Sequence, residues 1–228
     1  MAFAFIALIV VLGLAFLPQL WVRHVIAEHA AHRSDIPDTG GELARHLLDR
    51  MGLASVKVEE TSLGDHYDPE ARTVRLMKEN YSGRSLSAAV IAAHEVGHAM
   101  QDATGYAPLA TRTRLAKQAS KIEVMGSVLM LAAPFLLVLV KSPAVLVLEL
   151  VAGMLILSLA ILLHAVTLPV EFDASFRRAL PLLEAGNILK PKDLPAARRI
   201  LRAAALTYVA SAAMSLLDVA RWLRILRF

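Results

Sequence analysis

Two histidines four residues apart, with a glutamate directly after the first, are the residues of this chain best suited to chemistry. They are His94, Glu95 and His98, in the sequence HEVGH. On a helix, positions i and i+4 lie on one face, so both imidazoles could bind one metal ion. The carboxylate could accept a proton from a water at that ion, which is the residue pattern of zinc-dependent peptide hydrolysis. Because five letters also occur by chance, two surface histidines on an ordinary helix are the competing interpretation.

The sequence around this motif favours the metal. Residues 86–100 are largely apolar and rich in helix formers, and Ser85 or Ser87 is a suitable N-cap. Such a helix is expected to be buried, and burying two imidazoles and a carboxylate without partners costs free energy that a bound dication would offset. Gly97 is unfavourable inside a helix, which indicates that another group approaches the backbone closely there. We therefore predict a buried zinc site.

A catalytic zinc usually has three protein ligands, so the chain should supply a third. The metzincin pattern requires glycine at position 101 and histidine at position 104, where this chain has Gln101 and Thr104. The remaining large class takes a glutamate from a downstream helix. The candidate third ligands are Glu123, Glu171, Asp173, Glu184 and His164. Glu171 is favoured because Pro169 is predicted to start a helix just before it, and Asp173 would then be a helix cap or the partner of a ligand.

The composition predicts a membrane protein. Of the 228 residues, 57% are hydrophobic and 19% are charged, and the mean hydropathy is +0.55. Because the sequence contains no cysteine, disulfides and thiolate metal ligands are excluded. The net charge of +4 is modest, so nucleic acid is not a predicted partner.

Apolar and polar regions alternate along the chain. The predicted domains are a transmembrane anchor at 2–22, a transmembrane hairpin at 124–166, a membrane-embedded or interfacial helix at 203–228, and a metalloprotease domain in two parts, 23–123 and 167–202. The predicted fold class is a mainly α membrane protein that carries a small α+β, gluzincin-like zinc protease domain with a short antiparallel sheet. Whether residues 203–217 span the membrane is left open.

Local patterns predict the elements of the first polar part. Thr39 should precede an amphipathic helix that ends near Gly52. Residues 55–60 and 73–77 have strand character, and residues 65–71 have the composition of a turn. We therefore predict that the two strands form the antiparallel sheet.

Basic residues predict the orientation in the membrane. Thirteen lysines and arginines lie in residues 23–123 and seven in residues 167–202, against one in the hairpin turn and three at the C-terminus. A hairpin returns the chain to the side that it left, so the first two groups share a side. By the positive-inside rule, we predict a multi-pass protein of the plasma membrane whose active site faces the cytoplasm.

Several motifs together carry a family resemblance. HEVGHAxQD, a hydrophobic hairpin and LPVEFDAS follow one another, with NYSGRS before them and AAALTYV after them. This order resembles the YugP-type neutral zinc metallopeptidases of the bacterial inner membrane and, more distantly, the HtpX and CAAX-processing membrane gluzincins. The resemblance implies zinc on the two histidines and Glu171, with Glu95 as the base. The gluzincins continue E-x-x-x-D, whereas this chain has Ser175 there, so the role of that aspartate passes to Asp173 or is absent.

These observations predict a membrane-anchored zinc endopeptidase that acts at the cytoplasmic face on peptide or membrane-protein substrates, in quality control or processing. The lipid bilayer and a membrane-protein complex or oligomer are the further predicted partners. The candidate donors to the oxyanion are His66, Tyr67, His164 and Tyr208. The alternative is a zinc-binding, non-proteolytic adaptor subunit of a larger membrane complex. Intact Glu95 argues against that alternative, since an inactive relative has no catalytic need for it.

Overall fold

The computed structural model describes residues 16–119, 121, 144, 148, 151, 152, 155, 163, 166–185 and 188–206. Its helices are α1 (16–28), α2 (Gly40–Arg50), α3 (Lys78–Tyr81), α4 (Leu86–Ala103), α5 (107–119), α6 (166–172), α7 (Leu180–Ala185) and α8 (194–206). A π-helical segment, Asp173–Ala179, joins α6 to α7, and a 3₁₀ turn, Pro191–Asp193, precedes α8. The strands are β1 (Lys57–Thr61), β2 (His66–Asp68) and β3 (Thr73–Met77).

Helix α2 begins where the sequence predicts. The Thr39 hydroxyl accepts a hydrogen bond from the Glu42 backbone N–H, and the Glu42 carboxylate accepts one from the Thr39 backbone N–H, which completes a capping box. The apolar face of the helix is buried through Leu43 and Leu47. Gly52 follows the helix with φ +72°, in the left-handed region that glycine tolerates best.

The sheet has three strands in the order β1-β3-β2. Strand β3 has the predicted bounds, but it pairs with β1 in parallel and only with β2 in antiparallel orientation. The prediction of an antiparallel sheet is therefore wrong for the β1–β3 pair. Strand β2 lies within the predicted turn at 65–71. Because β2 runs antiparallel to both of the other strands, β1 and β3 can lie parallel to each other. Three residues are too few to show the alternation by which strands are recognised.

In the part of the chain that the structure describes, no helix combines the length and the apolar character that crossing a membrane requires. This finding corrects the predicted fold class of a mainly α membrane protein and the predicted multi-pass localisation in the bacterial inner membrane. Helix α4 has 18 residues but includes two acidic residues and both motif histidines. The helical run 166–185 includes five charged residues. The described protein is mostly helical with one small mixed sheet.

The three predicted membrane segments fall largely outside the described residues. These are 2–22, 124–166 and 203–228, of which the structure describes only 16–22, a few single positions of the second, and 203–206.

Helix α4 is the central element of the described fold. It packs against α2, the sheet, the π-helical segment and α7. Nearly all of its residues are buried, including both histidines and the glutamate between them. Apolar side chains surround it: the largest fully buried ones include Leu47, Leu76, Leu183, Ile200 and Leu201. A rigid, enclosed helix therefore carries the motif.

Candidate metal centre

Helix α4 presents His94 and His98 side by side. The Ser85 hydroxyl caps the helix by accepting from the Ala88 backbone N–H at 3.1 Å, which confirms one of the two predicted N-caps. Four residues separate the histidines, so the helix stacks them on one face, with 4.8 Å between the ring centroids. Both are buried, which rules out the interpretation of two surface histidines.

Glu171 reaches the two histidines from α6. Its Oε2 lies 3.2 Å from His94 Nε2 and 3.3 Å from His98 Nε2. One ligand atom from each of the three residues lies within 4.8 Å of the other two. Among the described residues, no other group of three or more histidines and acids is placed so that it could hold a metal ion. The structure therefore brings the favoured candidate for the third ligand to the motif.

The other candidates for the third ligand lie elsewhere. Asp173 is buried but contacts Gln101 and Arg178 instead of the histidines. Glu184 is exposed and pairs with Arg198. Glu123 and His164 lie outside the described residues.

A glycine and a π-helical segment allow the close approach of α6 to α4. A Cβ on Gly97 would lie 2.6 Å from the backbone oxygen of Ala174, well inside contact distance. The predicted close approach at Gly97 is thus confirmed, and the approaching group is the backbone of the π segment. Pro169, by contrast, does not start the helix, because residues 166–168 are already helical.

Gln101 fixes the ring of His98. Its Nε2 donates to the Val170 carbonyl and to Asp173 Oδ2, each at 2.8 Å. Because the amide nitrogen is used in this way, its Oε1 is an acceptor, and it lies 2.9 Å from His98 Nδ1. His98 Nδ1 therefore carries a hydrogen, so Nε2 is the ring atom left to bind a metal ion.

Ser175 fixes the ring of His94 in a similar way. Its hydroxyl donates to the Leu201 carbonyl at 3.3 Å, and its oxygen lies 3.0 Å from His94 Nδ1. Since the single hydroxyl hydrogen is used, Nδ1 of the ring is the donor, and Nε2 is again the atom left to bind a metal ion. Partners of this kind orient the histidine ligands of metals in proteins. Ser175, which stands where the gluzincin pattern has an aspartate, thus still contacts His94.

Three ligand atoms converge at the centre: Nε2 of His94, Nε2 of His98 and Oε2 of Glu171. These atoms would repel one another unless a proton or a metal cation lay among them. The second carboxylate oxygen, Glu171 Oε1, is buried and accepts no hydrogen bond from the described residues. Two neutral imidazoles and one carboxylate are a ligand set that zinc takes in peptidases. The residues therefore fit a zinc ion.

Burial and charge shift the two carboxyl groups in opposite directions. Burial raises the pKa of Glu95 to about 7, with the charge of His94 acting against it. Burial also acts to raise the pKa of Glu171, but the charges and contacts of His98 and His94 outweigh it and hold that pKa well below its usual range. Glu171 is thus held as an anion, while Glu95 can exchange a proton near neutral pH.

Comparison with known proteins agrees with this chemistry. The family described as "Putative neutral zinc metallopeptidase" matches residues 4–227. The chain belongs to this zinc metallopeptidase family. It is 36% identical over 228 residues, 99% of this chain and 96% of the relative, to the protein named "Putative membrane protease YugP" from Bacillus subtilis (strain 168). No solved structure matches the chain. The family resemblance and the zinc predicted from the sequence are confirmed.

The two predicted oxyanion donors that the structure describes, His66 and Tyr67, contact other groups. The Tyr67 hydroxyl donates to Asp102 at 2.8 Å, and burial raises its pKa. His66 Nδ1 contacts the Gly64 carbonyl oxygen at 2.7 Å. His164 and Tyr208 lie outside the described residues.

One cation near the centre has no counterpart in the sequence prediction. Arg112, on α5, places Nη2 3.6 Å from Glu171 Oε1. Its charge also acts on Glu95, whose pKa it lowers. The chain turns at Gly105, with φ +63°, between α4 and α5. The sequence does show an arginine in the helix that follows this turn. Spacing along the chain does not give the angle between α4 and α5, so it could not predict that this arginine lies near Glu171.

Proposed function

We propose that this protein is a zinc-dependent endopeptidase of the gluzincin type. In this proposal His94, His98 and Glu171 bind the zinc, and Glu95 transfers protons. The observation that carries the proposal is the convergence of Nε2 of two oriented histidines with the Glu171 carboxylate in a buried centre. Membership of a zinc metallopeptidase family supports it.

The chain's own groups supply the proton chemistry. Zinc, when bound, would act as a Lewis acid toward the peptide carbonyl and toward a water molecule. Glu95 takes a proton from the attacking water as its oxygen bonds to the carbonyl carbon. As the C–N bond breaks, Glu95 returns that proton to the departing amine. The pKa of about 7 that burial gives Glu95 suits a group that must both accept and release a proton.

Asp173, Gln101 and Ser175 have a supporting role in this proposal. Asp173 accepts from Gln101 and from Arg178 Nε, each at 2.8 Å, so the amide that holds His98 cannot rotate freely. Asp173 thus orients His98 indirectly, through Gln101, whereas Ser175 contacts the ring of His94 directly. Rigid imidazoles keep their lone pairs aimed at the ion.

A Glu95→Gln variant tests the proposed function. We expect it to retain one zinc per chain and lose cleavage by at least about 100-fold, since amide cannot accept the proton. Zinc content and the cleavage of a mixed quenched-fluorescent peptide library measure the two effects. The matched control is Glu184→Gln, the same change at an exposed acid. Unchanged cleavage in Glu95→Gln would contradict the assigned role.

The same assay separates the alternative function. A non-proteolytic zinc-binding adaptor would bind zinc in the wild type and cleave no peptide of the library. The predicted role in membrane-protein quality control or processing stays a prediction. Comparing membrane proteins with other proteins as substrates of the purified enzyme would test it.

A further inference from the structure

A cavity of about 390 Å³ lies where the C-terminal end of α4 meets α5. Much of its wall is apolar and is formed by Pro69, Tyr106, Leu109 and Ala110. The charged groups that line it come from both helices and include Asp102 and Arg114. A cavity of this size and mixed lining is suited to a long side chain that is apolar along its length and polar at its end.

The cavity lies one helical turn beyond the candidate metal centre. Asp102 follows His98 by four residues, so the two side chains share a face of α4, about 6 Å apart along the helix axis. On α5, Thr113 lines the cavity and is next to Arg112, whose Nη2 lies 3.6 Å from Glu171 Oε1. Because an extended peptide advances about 3.3 Å per residue, a substrate residue within two positions of the scissile bond can reach the cavity.

Asp102 is a half-buried acid with no cationic partner among the described residues. Its Oδ2 accepts a hydrogen bond from the neutral Tyr67 hydroxyl at 2.8 Å. Asp102 lies in the last turn of α4, which contains no basic residue, and the free carbonyl groups at a helix C-terminus carry partial negative charge. A carboxylate is unfavourable at this place by itself, and a cation bound in the cavity would stabilise it.

The cations that line the cavity do not neutralise Asp102. Lys117 is 58% exposed and pairs with Glu70. Arg114 is exposed and makes no ion pair within the described part of the chain. Water screens an exposed charge, so such a charge contributes little to binding, whereas a half-buried carboxylate is screened less. Asp102 therefore decides which charge the cavity accepts more than Arg114 does.

We propose that this cavity binds a lysine or arginine side chain of the substrate, within two residues of the scissile bond, and that Asp102 determines this specificity. The aliphatic part of such a side chain packs against Leu109 and Tyr106, and its charged end pairs with the Asp102 carboxylate. The inference rests on the proposed endopeptidase function and names the substrate class that this function would take.

The test uses the full chain loaded with zinc and peptides that are blocked at both ends, so that no terminal amine competes for Asp102. A quenched-fluorescent library first identifies the cleaved bond. Matched peptides then carry lysine, norleucine or glutamate at each position within two residues of that bond. Asp102→Asn removes the charge but keeps an acceptor for Tyr67, and Asp102→Lys reverses the charge. Glu184→Gln is the control at an exposed acid that does not line the cavity.

The expected result is a wild-type kcat/KM about 10-fold or more higher for lysine than for norleucine at one of these positions. Asp102→Asn should lose this factor on the lysine peptide and change less than about threefold on the norleucine peptide. Asp102→Lys should prefer glutamate, and Glu184→Gln should match the wild type. Zinc content and thermal stability should stay at wild-type values in Asp102→Asn.

Binding gives a readout that is independent of turnover. In a Glu95→Gln background, calorimetry should give a dissociation constant about 10-fold or more lower for the lysine peptide than for the norleucine peptide. Adding Asp102→Asn should remove the difference.

Three outcomes would overturn the inference while leaving the proposed function intact. The first is a wild type that cleaves lysine and norleucine peptides equally well. The second is an Asp102→Asn variant that keeps the preference for lysine, or that loses both peptides by the same factor. The third is a wild-type preference for glutamate that Arg114→Gln abolishes. By contrast, a zinc-loaded wild type that cleaves no peptide would contradict the proposed function itself.

Discussion

The side-chain amide of Gln101 donates to the carboxylate of Asp173, and this contact joins the helix that carries the histidines to the segment that follows Glu171. The distance is 2.8 Å, and both residues are buried. The oxygen of the same amide is left to accept from His98 Nδ1. The contact between the two elements therefore fixes which atom of the Gln101 amide faces the His98 ring.

Replacing Gln101 with leucine should weaken zinc binding. The leucine cannot accept from His98 Nδ1, so the ring loses its fixed orientation, and the affinity for zinc should fall about 10–100-fold. Competition with a chromophoric chelator measures the affinity. Asp173→Asn is the graded comparison, because it keeps an acceptor for Gln101 but removes the charge, and its effect should be smaller. Equal zinc affinity in Gln101→Leu and the wild type would contradict the proposed role.

Replacing Gly97 with alanine should destabilise the protein, although alanine is the better helix former. The new methyl group would lie 2.6 Å from the Ala174 backbone oxygen, which cannot move without displacing the π segment. We expect a loss of about 1–3 kcal/mol in the free energy of unfolding, measured by urea denaturation. Ala103→Gly is the control at an exposed position of the same helix, where glycine should destabilise by up to about 1 kcal/mol. A more stable Gly97→Ala variant would refute the close packing.

Removing zinc should lower the stability of the folded protein. Without the ion, only protons can join Nε2 of His94 and Nε2 of His98 to the buried Glu171 carboxylate. At a zinc concentration about 100 times the dissociation constant, bound metal should contribute about 2.7 kcal/mol. Thermal unfolding with chelator, and after zinc is restored, measures this difference. The Glu171→Ala variant should respond to zinc much less than the wild type, and Glu184→Ala should respond as the wild type does.

Acid should destabilise the contact that Arg33 makes across the fold. Hydrogen bonds from Arg33 hold the pKa of Asp35 and that of Asp193 below the usual range. A carboxyl group whose pKa is lower in the folded than in the unfolded protein stabilises the fold at pH values above its unfolded-state pKa, near 4. That stabilisation is lost as the pH falls from there toward the folded-state pKa. In chelator, the unfolding free energy of the wild type should therefore fall more steeply below about pH 4 than that of Arg33→Gln. Arg50→Gln removes the same charge at an exposed position and should keep the wild-type slope.

The sequence predicted those features of the site that depend on spacing along one helix. His94 and His98 share a face because four residues separate them, and Ser85 caps the helix because its hydroxyl can accept from a free N–H. Glu171 was favoured as the third ligand because Pro169 was predicted to start a helix just before it, and that helix begins earlier than predicted. No local period relates Glu171 to the motif.

Features that depend on how elements pack were not predictable in this way. In the π segment, Asp173, Ala174 and Ser175 are all buried, whereas a regular α-helix would turn some of them outward. Because the π segment keeps these residues buried, Asp173 reaches Gln101 and Ser175 reaches His94. The position of Arg112 follows from the angle at which α5 leaves Gly105, and no pattern in the sequence states an angle.

The separation of the ligands along the chain has a consequence for biosynthesis. Glu171 is 73 residues downstream of His98, so a growing polypeptide carries both histidines and Glu95 long before the third ligand is made. Until that residue leaves the ribosome and docks, the nascent chain lacks one of the three ligands of the proposed centre. Zinc can therefore bind to all three ligands only after helix α6 has packed against helix α4.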